Sequence, residues 1–137
     1  MGLDEHHECS GDTERRAALA EVATSLQEQG LGVEIEPVIG TTRPDLVATV
    51  QGGPAYIIEF KTGDGRAHFS LIAQLLTFVS VYAVARPARK AMAVLATTRD
   101  VPEHIRGVAE QAGVQIVKAP TVAALARRLV ERIQPAL

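Results

Sequence analysis

The sequence predicts an α/β fold, a mixed central sheet flanked by helices, and three features carry that expectation. Apolar residues recur at helical spacing near the N-terminus, where Leu19, Val22, Ala23 and Leu26 share a face before Gly30. Two strand-like runs then flank the turn Gln51-Gly52-Gly53-Pro54, the signature of a hairpin. Beyond it, a long apolar helical stretch leads into a wholly apolar strand and a further helix, strand and helix.

In chain order, the first helix is expected to start at Thr13 and end near Gln29. Residues 32–39 alternate, Val33, Ile35 and Pro37 against Glu34, Glu36 and Val38, which suits a half-exposed strand with proline at an edge or bulge. The loop Gly40-Thr41-Thr42-Arg43-Pro44 leads to strands at 46–50 and 55–61. A helix follows over 68–85, apolar nearly all round and therefore central to the core or part of a homodimer face. The run 91–96 has no polar residue and reads as a strand buried on both faces. Helix 102–112, strand 114–117 and helix 121–133, capped by Thr121, complete an αβββαβαβα order. Strand, helix, strand in succession favours parallel pairing through a right-handed crossover.

With 137 residues and 47% hydrophobic content the chain suits one domain, read as residues 13–137 after a disordered acidic tail at 1–12. The stretch 69–85 is interrupted by Gln74, Thr77, Ser80 and Tyr82, so it reads as a buried helix and not a membrane span. The N-terminus lacks the layout of a secretion signal, which points to a cytoplasmic setting. A single cysteine, Cys9, excludes an internal disulfide, and His6, His7, Glu8 and Cys9 lack spaced partners for a metal. Net charge is -2, against a strongly basic DNA binder. Five acids lie in the first 14 residues, however, leaving 11 against all 14 Lys and Arg, a balance of +3 in the remainder.

The chemically informative segment is RPDLVATVQGGPAYIIEFKTG. Alternate residues of a strand share a face, so Glu59 and Lys61 point one way and Ile58 and Phe60 the other. Asp45 precedes the partner strand and joins them only if the hairpin loop has an odd number of residues; an even loop turns it away. Two converging carboxylates repel each other unless a cation lies between them, and hard oxygen donors suit Mg²⁺ or Mn²⁺. Asp45 and Glu59, with the Phe60 carbonyl, would be ligands, and Lys61 would orient or help deprotonate the attacking water.

Pro44-Asp45 followed, after thirteen intervening residues, by Glu59-Phe60-Lys61 resembles the signature of the PD-(D/E)XK nuclease superfamily. The resemblance covers roughly residues 19–95. It implies a restriction-endonuclease-like αβββαβ core, here with a C-terminal αβα extension, and a Mg²⁺- or Mn²⁺-dependent site. An acid on the first helix often completes such sites, and Glu21 is the matching candidate. Members also carry a glutamine on the helix after the ExK strand, matched by Gln74; the tyrosine expected one turn later is Phe78 here, with Tyr82 a further turn along. The segment AMAVLATTRDVPEHIRGVAEQAGVQIV resembles the end of Mrr-like restriction endonucleases.

Arg66 and His68 follow the ExK strand in a glycine-rich loop and are candidates for substrate phosphate contact, a position equally suited to solvated charges. Arg86, Arg89 and Lys90, and Arg127, Arg128 and Arg132, form the densest basic groups and read as exposed helix ends. The expected function is a metal-dependent DNA endonuclease of restriction, repair or recombination. Its target would be selected through homodimerisation, DNA shape or a partner protein. The alternatives are a catalytically weak nuclease-like module that binds DNA or protein, and an α/β interaction domain. DNA versus RNA, and internal versus terminal cutting, stay open.

Overall fold

The computed structural model describes the backbone of residues 2–133 and the side chains of residues 12–133. Five strands, β1 (Gly32–Ile35), β2 (Leu46–Thr49), β3 (Ala55–Lys61), β4 (Ala91–Thr97) and β5 (Val114–Lys118), form one sheet in sequence order. β1, β2 and β3 pair antiparallel, and β3, β4 and β5 parallel. The parallel half is built through α2 (Phe69–Ala85) and α3 (Glu103–Ala112). These two lie on one face, and α1 (Gly2–Glu28) and α4 (Val122–Arg132) on the other. The predicted element order and mixed sheet are those observed.

Strand periodicity divides the core. Leu46, Ala48, Ile58, Phe60, Val94 and Ala96 pack with Leu19, Val22, Leu26, Leu125 and Leu129 beneath α1 and α4. Val47, Ile57, Ala93 and Leu95 pack with Leu71, Ile72, Leu75 and Phe78 beneath α2, and with Ile105 and Ala109 of α3. Burying a Leu or Ile side chain contributes roughly 1.5–3 kcal/mol, so both layers bind the sheet firmly. No helix among the described residues is long and apolar enough to cross a membrane.

Boundaries shift where local geometry overrides the pattern. β1 stops at Ile35, not residue 39, because Glu36 takes a positive φ of 48°, costly for a residue with a Cβ, and turns the chain away. A tight turn follows, in which Ile39 and Thr42 exchange backbone hydrogen bonds of 2.9 and 3.0 Å. Gly40 in that turn has φ 61°, and a Cβ there would meet Val81 Cγ1 at 2.9 Å. The α1 backbone is helical from Gly2, ahead of the expected start at Thr13. A hydrophobic period marks only the stretch of a helix that faces a core, and residues 2–12 have none. The side chains of residues 1–11, and with them most of the expected acidic tail, lie outside the described residues. Thr121 caps α4 as expected, its hydroxyl accepting from the Ala124 N–H at 3.2 Å.

Candidate active site

The hairpin register decides whether the two acids meet. Thr49 pairs with Ala55 and Leu46 with Ile58, so the connecting loop is residues 50–54, an odd number. Val50 leaves the strand: its N–H donates to the Pro54 carbonyl at 3.0 Å, and the Gly53 N–H donates to the Val50 carbonyl at 2.9 Å. Continued by one residue, the register sets Asp45 opposite Glu59, on the α2 face of the sheet. Arg89, which reads from sequence as part of a solvated basic group, holds this loop instead. Its guanidinium donates to the carbonyls of Val50 and Gly53 at 2.6 and 2.8 Å.

Asp45 and Glu59 interlock. The Asp45 N–H donates to Glu59 Oε1 at 3.0 Å, and the Phe60 N–H donates to Asp45 Oδ2 at 2.8 Å. Opposite its side chain, Asp45 is fixed through its carbonyl, which accepts from the Glu36 N–H at 2.9 Å. Lys61 brings Nζ to 3.9 Å from Glu59 Oε2. Within a strand the N–H and C=O of one residue face the same edge. The Lys61 carbonyl accepts from Thr98 on the β4 side, so the Phe60 carbonyl faces the opposite edge, toward Asp45. Asp45, Glu59, Lys61 and the Phe60 main chain thus gather at the end of β3, the arrangement that the sequence allowed only with an odd loop.

Glu59 is 3% exposed, the most deeply buried charged residue among those described. Burial, and next the charge of Asp45, push its carboxyl up from 4.5 to about 7; the Asp45 N–H, Lys61 and Arg15 act in the opposite sense. A buried carboxylate that holds its proton near neutrality has too little positive charge beside it, and a cation would meet that deficit. The donors fit a hard divalent ion: two carboxylates and a backbone carbonyl, a set to which Mg²⁺ adds water. Among the described residues no group of three or more His, Cys, Asp or Glu stands close enough to hold an ion, so no described acid joins Asp45 and Glu59.

Glu21 is therefore corrected. It is exposed and lines the groove between α1 and α4 with Ser25, Arg127 and Glu131. The reason is helical phase: Glu21 lies about 200° around α1 from the buried Leu19. The residue α1 does send to the site is basic. Arg15, one turn before Leu19 on the buried stripe, brings Nη1 to 3.3 Å from Asp45 Oδ1 and Nη2 to 3.4 Å from Asp12 Oδ1. Sequence reasoning missed it because its partner lies thirty positions away.

Gln74 is exposed on α2, whose buried line runs through Leu71, Leu75, Phe78 and Tyr82, and it makes none of the hydrogen bonds of the cluster. An amide next to that line gains more from water than from an apolar layer. Arg66 and His68 are exposed on the segment after β3. That segment is anchored to the end of β4 by the Asp100 N–H on the Gly65 carbonyl at 3.0 Å and the Ala67 N–H on the Asp100 carbonyl at 2.7 Å. Arg99 adds a third tie, Nε donating to the Thr62 carbonyl at 3.1 Å. Arg86 is committed elsewhere, pairing with Glu34 at 2.8 Å and lying 5.5 Å from the centre of the Tyr82 ring.

No protein-family model and no curated protein sequence matches the chain. Solved structures do. A repair endonuclease from Pyrococcus abyssi aligns with a TM-score of 0.59 and 16% identity over 76% of this chain and 46% of its own. EndoMS in complex with double-stranded DNA aligns with a TM-score of 0.58 and 19% identity over 77% of this chain and 44% of its own. A protein of unknown function aligns at 0.51 and 18% over 72% and 54%. The chain spans about half the length of these structures. Sheet order, strand directions and helix layers together give this protein a restriction-endonuclease-like fold, shared with these structures.

Proposed function

We propose that this chain is a metal-dependent DNA endonuclease of the PD-(D/E)XK type, hydrolysing phosphodiesters with a water activated at Asp45 and Glu59. The observation that carries the reading is the interlocked pair itself: two carboxylates at one sheet position, one of them nearly inaccessible to solvent, with Lys61 alongside. The likeness to a repair endonuclease and to a DNA-bound EndoMS supports DNA as the substrate.

Asp45, Glu59 and the Phe60 carbonyl would hold Mg²⁺ or Mn²⁺. Once bound, the ion supplies Lewis acidity toward the phosphate and lowers the pKa of water. The Asp45 carboxylate is oriented by the Phe60 N–H and the Glu59 carboxylate by the Asp45 N–H, which fixes how both acids are presented. Lys61 orients the attacking water and offsets negative charge growing on the phosphate oxygens. Arg66 and the half-buried Arg99 bring positive charge to the segments that follow β3 and β4, and His68 adds a hydrogen-bonding group there; phosphate contacts from them would give salt-sensitive affinity. Selection of a target then falls to homodimerisation, DNA shape or a partner protein.

One observation favours a second reading, a nuclease-like module that binds DNA without cutting it: the Arg15 guanidinium already answers the charge of Asp45. Cleavage of linear, branched and single-stranded DNA with Mg²⁺ or Mn²⁺ separates the two. Asp45→Ala and Lys61→Ala are each expected to slow cleavage by about 10²-fold or more. Cleavage unaffected by both substitutions removes the nuclease reading; DNA binding with no cleavage by the wild type selects the second.

A further inference from the structure

Arg15 has no task in the chemistry above, yet its position is built. It ends the buried stripe of α1 formed by Leu19, Val22 and Leu26, on the sheet face opposite α2, and its guanidinium extends beyond that layer to Asp45. Side-chain exposures of 22% for Arg15 and 16% for Asp45 mark a partly desolvated pair. Asp12 holds the other guanidinium nitrogen, and is itself held at 3.0 Å by Arg16. Were the bond to Asp45 lost, Asp12 would still keep the guanidinium near the site.

We infer that Arg15 stands in for the cation on Asp45 and passes to a DNA phosphate when a divalent ion takes its place. The inference rests on the metal-site reading of Asp45 and Glu59. The geometry carries it: Asp45 already has a cation beside it, Arg15 Nη1 at 3.3 Å from Oδ1, whereas Glu59 has Lys61 Nζ no nearer than 3.9 Å. An ion binding there competes with the guanidinium for Asp45. Once it has bound, the same guanidinium belongs to a cluster with excess positive charge, which attracts an anion. Arginine suits the second role because its planar fork matches phosphate oxygens. One residue therefore opposes metal binding and favours DNA binding. A purely structural salt bridge has no reason to act in opposite senses on the two.

The test measures both affinities. Calorimetric titration with Mn²⁺ alone is expected to give Arg15→Ala tighter binding than wild type by on the order of fivefold, the factor of a part-exposed ion pair. A short DNA duplex titrated in saturating Mn²⁺, on a Lys61→Ala background that suppresses cutting, is expected to bind Arg15→Ala weaker by a similar factor. Arg15→Lys, which keeps the charge, is expected to return both values toward wild type. Thermal melting confirms that each variant is folded. Mn²⁺ affinity equal to or weaker than wild type in Arg15→Ala overturns the inference while leaving the metal site standing. Tighter Mn²⁺ with unchanged DNA affinity overturns the transfer to phosphate. Absence of Mn²⁺ binding in every variant overturns the metal-site reading, and this inference with it.

Discussion

Removing the titratable group at the centre of the site, Glu59→Gln, is expected to make the metal-free protein more stable at pH 8. In the folded chain Glu59 titrates at about 7, against 4.5 for an ordinary glutamate. Between those values the folded state keeps a proton that the unfolded chain has lost. Raising the pH through this window therefore favours unfolding, and the full benefit of the bound proton is present only below about pH 4.5. The displacement corresponds to about 3 kcal/mol. Glutamine keeps the acceptor for the Asp45 N–H and introduces no charge, so the variant lacks this loss. Urea unfolding in EDTA from pH 5 to 8 reads the difference between wild type and variant. That difference is expected to grow by about 3 kcal/mol in favour of the variant as the pH rises. Parallel stability curves across the range would refute the claim that Glu59 is buried without an adequate counter-charge.

Proton and cation compete for the same carboxylate, so Mn²⁺ affinity is expected to rise with pH up to about 7 and level off above it, with proton release visible as a buffer-dependent heat in calorimetry. Lys61→Ala is expected to retain Mn²⁺ binding while losing about 10²-fold in cleavage rate, since the ammonium stands near the ligands without being one; lost Mn²⁺ binding would make Lys61 structural. Glu21→Ala is expected to leave Mn²⁺ affinity at the wild-type value, because Glu21 lies in the α1–α4 groove; weakened binding would return it to the site. Thr121→Ala is expected to cost about 1 kcal/mol in chemical denaturation through loss of the α4 cap.

Much of this protein is written in local pattern. The strand read at 55–61 matches β3 at both ends, and strand periodicity puts Glu59 and Lys61 on one face whatever surrounds them, because it is a property of the backbone. The apolar run at the start of β4 and the cap at Thr121 are equally local. The resemblance carried by Pro44-Asp45 and Glu59-Phe60-Lys61 anticipates the fold only together with the element order, the hairpin and the late strand-helix-strand unit.

Tertiary contacts decided what pattern leaves open. Whether Asp45 faces Glu59 or turns away depends on a single residue, Val50, and the sequence places it in the strand with an even loop after it. The odd loop is held by Arg89, from beyond α2, which binds the Val50 and Gly53 carbonyls across 39 and 36 positions of sequence. Helical phase likewise moved the contribution of α1 from Glu21 to Arg15, since which side of a helix meets the sheet is set by packing and not by residue type. The raised proton affinity of Glu59 belongs wholly to the folded molecule, because it follows from desolvation, and only the assembled layers of the sheet and α2 exclude water from that carboxylate.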